Sequence, residues 1–123
     1  MHALVVDDDE DIREVARLSL ELVGGWVVSV ADSGSEAISQ AVALTPDVIL
    51  LDVMMPGLDD VATLQALSDD PRTRAIPVIF LTAKAQVGER RRLEEAGARG
   101  LIAKPFDPLN LAHDVERILN ARS

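Results

Sequence analysis

The sequence predicts an α/β domain, a (βα)5 chain with one doubly wound parallel sheet of five strands. Two observations predict it. Five short apolar runs alternate with segments of helical periodicity along all 123 residues, the pattern of repeated βαβ units. Four of those runs end on residues that carry chemistry: Leu4-Val5-Val6 on Asp7-Asp8-Asp9, Val48-Ile49-Leu50-Leu51 on Asp52, Val78-Ile79-Phe80-Leu81 on Thr82, and Leu101-Ile102-Ala103 on Lys104. In an open parallel sheet the carboxyl ends of the strands converge on one crevice. Carboxylates, a hydroxyl and an ammonium gathered there suit a divalent metal and a phosphoryl group.

Each element has its own justification. The first strand covers Ala3 to Asp7. A helix follows, with Ile12, Val15, Ala16, Ser19, Leu22 and Val23 at helical spacing and Gly24-Gly25 as the stop. Asp9 is read as its N-cap. Trp26 to Val30 is the second strand. Ser33 or Ser35 caps a helix whose apolar face is Ala37, Ile38, Ala41 and Val42, and Thr45-Pro46 ends it. Val48 to Asp52 is the third strand. Asp59 or Asp60 caps a third helix through Leu67, with Pro71 beyond. Val78 to Leu81 is the fourth strand, Val87 to Ala96 a helix stopped by Gly97, and Gly100 to Ala103 the fifth strand. The last helix is expected to start near Asp107-Pro108 and run to Asn120. Residues 1–123 thus form one domain, without repeats or a low-complexity linker.

Composition narrows the function. The chain is 48% apolar, enough for a core without staples. It has no cysteine, which removes disulfides and thiolate metal sites. The net charge of −9 argues against direct binding of duplex nucleic acid, which needs Lys and Arg against phosphates. No apolar run approaches the ~20 residues of a membrane helix, and no leader pattern opens the chain. A soluble cytoplasmic protein that does not bind membranes is the expectation. Arg90-Arg91-Arg92 reads as a solvated helix face paired with Glu94 and Glu95, with a docking patch as the rival reading.

Four segments in order carry a family resemblance: Val5-Val6-Asp7-Asp8, Leu51-Asp52-Val53-Met54-Met55-Pro56-Gly57-Leu58-Asp59, Leu81-Thr82-Ala83, and Gly97-Ala98 followed by Lys104-Pro105-Phe106. With these the whole chain resembles the receiver domain of two-component response regulators, the CheY-like family with a flavodoxin-like sheet. The resemblance implies strand order 2-1-3-4-5. It implies that Asp52 accepts a phosphoryl group, from a sensor histidine kinase or a histidine phosphotransfer protein, and forms an acyl phosphate. Asp8 would bind Mg²⁺ directly, Asp7 would help through water, and Asp52 and the backbone carbonyl of Met54 would complete the metal site. Thr82 would hydrogen-bond a phosphoryl oxygen. Lys104 would pair with the carboxylates and then with the phosphoryl group, and the Lys104–Pro105 peptide would be cis. Such a domain is not an enzyme with a separate substrate. It assists its own phosphorylation and dephosphorylation, and signals by switching a downstream protein, an effector domain outside this chain, or a phosphorylation-dependent dimer.

The chemistry asks for these residue types independently. Phosphoryl transfer is mostly positioning and charge neutralisation. Mg²⁺ takes hard oxygens, usually one or two carboxylates with phosphate and water. Lys104 is one of two lysines beside ten arginines, and a compact ammonium suits a shared point of charge better than a planar fork.

Two departures from the family stand out: Leu101 occupies a position commonly Tyr or Phe, and Asp60 one often Gly. Rival functions fit less well. Asp7, Asp9 and Asp11 match the first ligands of a calcium loop, but its glycine position is Ile12 and its final glutamate position is Leu18. An aspartyl-phosphate phosphatase needs a general acid two residues beyond the nucleophile, where Met54 stands. The serious alternative is a pseudo-receiver that binds partners without phosphorylation. Leu101 favours it and the intact Asp8, Asp52, Thr82, Lys104 set opposes it.

Overall fold

The computed structural model describes residues 1–52, 60–83 and 87–121, apart from the side chains of 60, 61 and 87–89. Strands and helices alternate: β1 His2–Val6, α1 Glu10–Leu22, β2 Val27–Ala31, α2 Gly34–Leu44, β3 Val48–Asp52, α3 Asp60–Asp69, β4 Val78–Thr82, α4 Val87–Glu95, β5 Gly100–Ala103 and α5 Leu111–Asn120. All strand pairs are parallel, and the sheet order is β2-β1-β3-β4-β5.

Period-two alternation explains how both faces are filled. Leu4, Val6, Ile49, Leu51, Val78, Phe80 and Leu101 join one buried cluster with Ala37, Leu64, Leu67 and Leu93 of α2, α3 and α4. The intervening residues Ala3, Val5, Val48, Leu50, Ile79, Leu81 and Ile102 join the other, with Ala16, Leu20, Leu111 and Val115 of α1 and α5. Strands buried on both faces read as unbroken apolar runs, as parallel strands do.

Caps define the helix starts. The Asp9 side chain accepts from the Asp11 and Ile12 N–H groups at 2.9 and 3.3 Å. Ser33, rather than Ser35, caps α2 by accepting from Glu36 N–H at 3.2 Å, while Glu36 reaches back to Asp32 N–H. Thr45 closes α2 in the left-handed region at φ 42°. Gly24 lies against its own helix, since a Cβ there would fall 2.8 Å from the Leu20 carbonyl oxygen.

Most boundaries fall within one or two residues of the sequence expectation, α3 running on to Asp69 rather than Leu67, and two starts differ in a telling way. Trp26 is buried but precedes β2. The last helix begins at Leu111 rather than near Asp107. Asp107 instead closes a turn, accepting from Leu109 N–H and the Asn110 side-chain amide, each at 2.9 Å. Pro108 then anchors that turn to α1, where Ser19 Oγ donates to its carbonyl.

α5 sits close to the sheet at Gly100, where a Cβ would meet Ile118 Cγ2 at 2.7 Å. Gly100→Ala should therefore destabilise the fold by about 1–3 kcal/mol, the range of overpacked cores. In an Ile118→Ala background the same change should be nearly harmless. Urea unfolding of the four proteins measures the coupling, and strictly additive losses would contradict the packing assignment.

Candidate functional site

Sheet register brings the chemical residues to one level. β1 pairs Val6 with Leu51 of β3, and β3 pairs Asp52 with Leu81 of β4. Pairing runs one residue beyond two strands, through Asp7 N–H to the Ala31 carbonyl at 3.1 Å and Lys104 N–H to the Thr82 carbonyl at 2.8 Å. Side-chain alternation therefore still holds at Asp7 and Lys104. Asp7, Asp52 and Lys104 share the parity of Val5, Leu50 and Ile102, the layer covered by α1 and α5. Thr82 has the opposite parity and ends β4, one residue past the partner of Asp52.

The contacts follow that parity. Lys104 Nζ donates to Asp7 Oδ2 at 2.9 Å and to Asp52 Oδ1 at 2.8 Å. Asp7 is fully buried, and Asp52 and Thr82 nearly so. The second oxygen of Asp7 accepts from Asp9 N–H at 2.9 Å. Asp8 is exposed, and among the described residues its carboxylate has neither a hydrogen bond nor an ion pair. One oxygen each of Asp7, Asp8 and Asp52 lie within 4.8 Å of one another. At that separation two carboxylates repel by roughly 3 kcal/mol at an effective dielectric of ~20.

Burial and neighbouring charge act in opposite directions on Asp7 and Lys104. Burial raises the Asp7 pKa, and it outweighs the hydrogen bonds from Lys104 and Asp9 that favour the anion; Asp52 adds repulsion. Burial pulls Lys104 down, but its bonds to Asp52 and Asp7 prevail and hold its pKa above the ordinary value. One ammonium therefore serves two of three carboxylates, and the third is exposed and without a partner among the described residues. Hard oxygens, few in number and short of positive charge, fit a partly hydrated Mg²⁺ better than a calcium cage. The pocket fits a phosphoacceptor aspartate with Mg²⁺ bound.

Asp7, Asp8, Asp52 and Lys104 are thus brought together, with Thr82 at the adjoining strand end. The Lys104–Pro105 peptide is cis. Met54, the expected backbone ligand, lies outside the described residues, as do the rest of the segment 53–59 and Lys84. Two features escaped the sequence. Arg13 donates from α1 to the Asp7 carbonyl at 2.8 Å and ties the helix to the strand end; nothing in a six-residue spacing announces this bond. A mainly apolar cleft of about 420 Å³ opens beside the carboxylates, lined by Ile12, Val15, Ala83, Pro105 and Phe106 together with Asp11 and Lys104. Its signal was present in the apolar Ile12 and Val15 at helical spacing and in Pro105-Phe106 directly after Lys104.

Asp7 has a sign to test. Its folded pKa is raised, so the stability linked to it is full below the unfolded pKa and is lost as pH rises through the folded value. Asp7→Asn keeps an acceptor for Lys104 and Asp9 and removes the charge. Without metal at pH 7 its melting temperature should exceed that of the parent by a few degrees, the scale of about 1 kcal/mol in a domain this size. The gap should close at pH 4 and below. A pH-independent offset, or a loss at pH 7, would contradict the charge assignment.

Comparison with known proteins agrees with this geometry. The sequence profile of the response regulator receiver domain matches residues 3–116. Response regulator Rre1 of Synechocystis is 35% identical over 116 residues, covering 94% of this chain and 50% of that protein. Response regulator PleD of Caulobacter vibrioides is 44% identical over 110 residues, covering 88% of this chain and 24% of that protein. The chain therefore spans half or less of these curated relatives. Among solved structures, chemotaxis response regulator CheY4 of Vibrio cholerae superposes with a TM-score of 0.89 at 29% identity, covering 95% of this chain and 97% of that one. A five-stranded sheet in this order, a crevice of three carboxylates and a lysine at its mouth, and a profile match over nearly the whole length have one explanation: the chain belongs to the response regulator receiver domain family.

Proposed function

We propose that residues 1–123 act as one receiver domain that takes a phosphoryl group onto Asp52 from the phosphohistidine of a sensor histidine kinase or histidine phosphotransfer protein. The observation that carries this is Lys104 bound to both Asp7 and Asp52 while Asp8, unpaired among the described residues, holds a carboxylate at the same crevice.

In the proposed step a carboxylate oxygen of Asp52 attacks phosphorus, the P–N bond to the donor imidazole breaks, and its electron pair stays on that nitrogen. Lys104 follows the charge, exchanging part of its bond to Asp52 for a phosphoryl oxygen. The Thr82 hydroxyl, at the next strand end, donates to another phosphoryl oxygen. Asp8 and Asp52 would hold Mg²⁺, with Asp7 acting through water and the Met54 carbonyl completing the set by family resemblance. When bound, the ion neutralises charge on the phosphoryl oxygens. Positioning and charge are the catalytic means available, so the domain assists its own phosphorylation and hydrolysis without a separate substrate.

The phosphodonor needs a surface beside Asp52. The apolar cleft supplies one, and Val15 and Leu18 extend it along α1 with 42% and 41% of their surface exposed. A histidine kinase is a cytoplasmic partner in this reading, and no described helix is long and apolar enough to cross a membrane. The phosphorylated form would switch a downstream protein, an attached effector domain or a dimer. The net charge of −9 speaks against direct nucleic-acid contact by this domain. The intact residue set disfavours a phosphorylation-independent module.

Incubation with acetyl phosphate and Mg²⁺, followed by Phos-tag electrophoresis, tests the reading. The parent should be labelled, and Asp52→Asn should lose at least 95% of the label. Val15→Glu should keep labelling by acetyl phosphate but slow transfer from a phosphorylated histidine phosphotransfer protein at least tenfold. Equal labelling of Asp52→Asn would overturn the acceptor assignment. Equal transfer to Val15→Glu would overturn the docking surface alone.

A further inference from the structure

We propose that a second site, at the pole of the sheet opposite Asp52, binds a small polyanion through Arg74 and Arg99. The proposal is independent of the phosphoacceptor reading. A cleft of about 310 Å³ lies between the turn leading into β4 and the turn leading into β5, at the lower end of the volumes that small-molecule pockets occupy, roughly 300 Å³ upward. Arg74, Ala75 and Pro77 line one side, Gly97, Ala98 and Arg99 the other, and no carboxylate is among the lining residues.

Three features single out this cleft. First, in a chain carrying nine surplus negative charges, neither guanidinium has an ion pair or hydrogen bond among the described residues. The acidic groups nearby in sequence do not take them up: Asp70 is engaged by Arg72 at 2.8 Å, and Glu94 and Glu95 form no ion pair among the described residues. Second, both arginines are mounted on fixed backbone. Arg74 N–H donates to the Asp70 carbonyl at 2.9 Å, Arg99 N–H donates to the Val78 carbonyl at 2.8 Å, and Thr73, between the turn and α3, is buried with Oγ1 donating to the Leu67 carbonyl at 2.6 Å. Third, Ala75 lines the same cleft, and among the described residues its backbone N–H has no acceptor.

Two planar guanidinium forks and a backbone donor match an oxyanion with several acceptor oxygens, a phosphate ester or a tricarboxylate. A ligand held by both arginines would clamp the turns before β4 and β5, the two strands that end in Thr82 and Lys104.

The test is a ¹H–¹⁵N NMR titration of the metal-free 123-residue chain with pyrophosphate at constant ionic strength, repeated with citrate. Saturable shifts are expected at Ala75, Ile76, Gly97, Ala98 and Arg99, with half-saturation at or below a few millimolar and no shift at Asp8 or Asp9. Arg74→Gln/Arg99→Gln should remove them, and its spectrum reports directly that it is folded. Arg74→Lys/Arg99→Lys should weaken binding at least fivefold because it keeps charge and loses the forks. Saturation by pyrophosphate alone identifies a phosphate site, and saturation by both ligands a general oxyanion site. Shifts that grow linearly without saturation, or that persist in the Gln double variant, would overturn the proposal.

Discussion

The shared ion pair of Lys104 with Asp7 and Asp52 is the interaction on which the site depends. Parallel topology delivers every strand's carboxyl end to one side, so carboxylates at two adjacent strand ends meet in a buried place whether or not the charges agree. Two such groups destabilise one another, and burial worsens the imbalance for Asp7. A lysine arriving from β5 at 2.8–2.9 Å from both makes the arrangement tolerable. It does not complete it, because Asp8 adds a third carboxylate that no cation among the described residues pairs with. The crevice is thus built short of positive charge, which a divalent metal and an incoming phosphoryl group can together correct.

The rest of the fold keeps that crevice in place. The interiors of β1, β3, β4 and β5 are buried, so the strand ends that carry the site have little freedom to shift. Asp9 caps α1 directly after Asp7 and Asp8, and Arg13 of the same helix binds the Asp7 carbonyl. The first turn of α1 therefore positions the acidic loop from both sides. Ser19 fastens the turn after Lys104-Pro105 to that helix. The residues that carry chemistry lie at strand ends and in loops, supported by a core that contributes none of it.

Much of this was legible in the sequence because it rests on period two. Unbroken apolar runs identified the strands, and the residue after each run identified the crevice; Asp7, Asp52 and Lys104 meet because they continue the alternation of Val5, Leu50 and Ile102. Gly24-Gly25 and Gly97 stopped their helices as expected. What escaped depended on contacts between distant segments or on competing local bonds. The last helix is expected to start near Asp107, yet that side chain closes a turn first, so α5 starts at Leu111. Arg90 and Arg91 have the spacing for pairing with Glu94 and Glu95, but no such pair forms among the described residues, because exposed helical ion pairs gain too little to fix long side chains. Leu101, at a position commonly aromatic in the family, is buried against the α2, α3 and α4 layer and serves as a core residue.

The most direct test of the account is the response of thermal stability to Mg²⁺. A ligand that binds only the folded state raises stability by RT ln(1 + [L]/Kd). Mg²⁺ in the millimolar range should raise the melting temperature of the parent, Ca²⁺ should do so less well, and Asp8→Ala should abolish the Mg²⁺ shift while remaining folded. An unchanged Mg²⁺ shift in Asp8→Ala would contradict the claim that the strand-end carboxylates form the metal site.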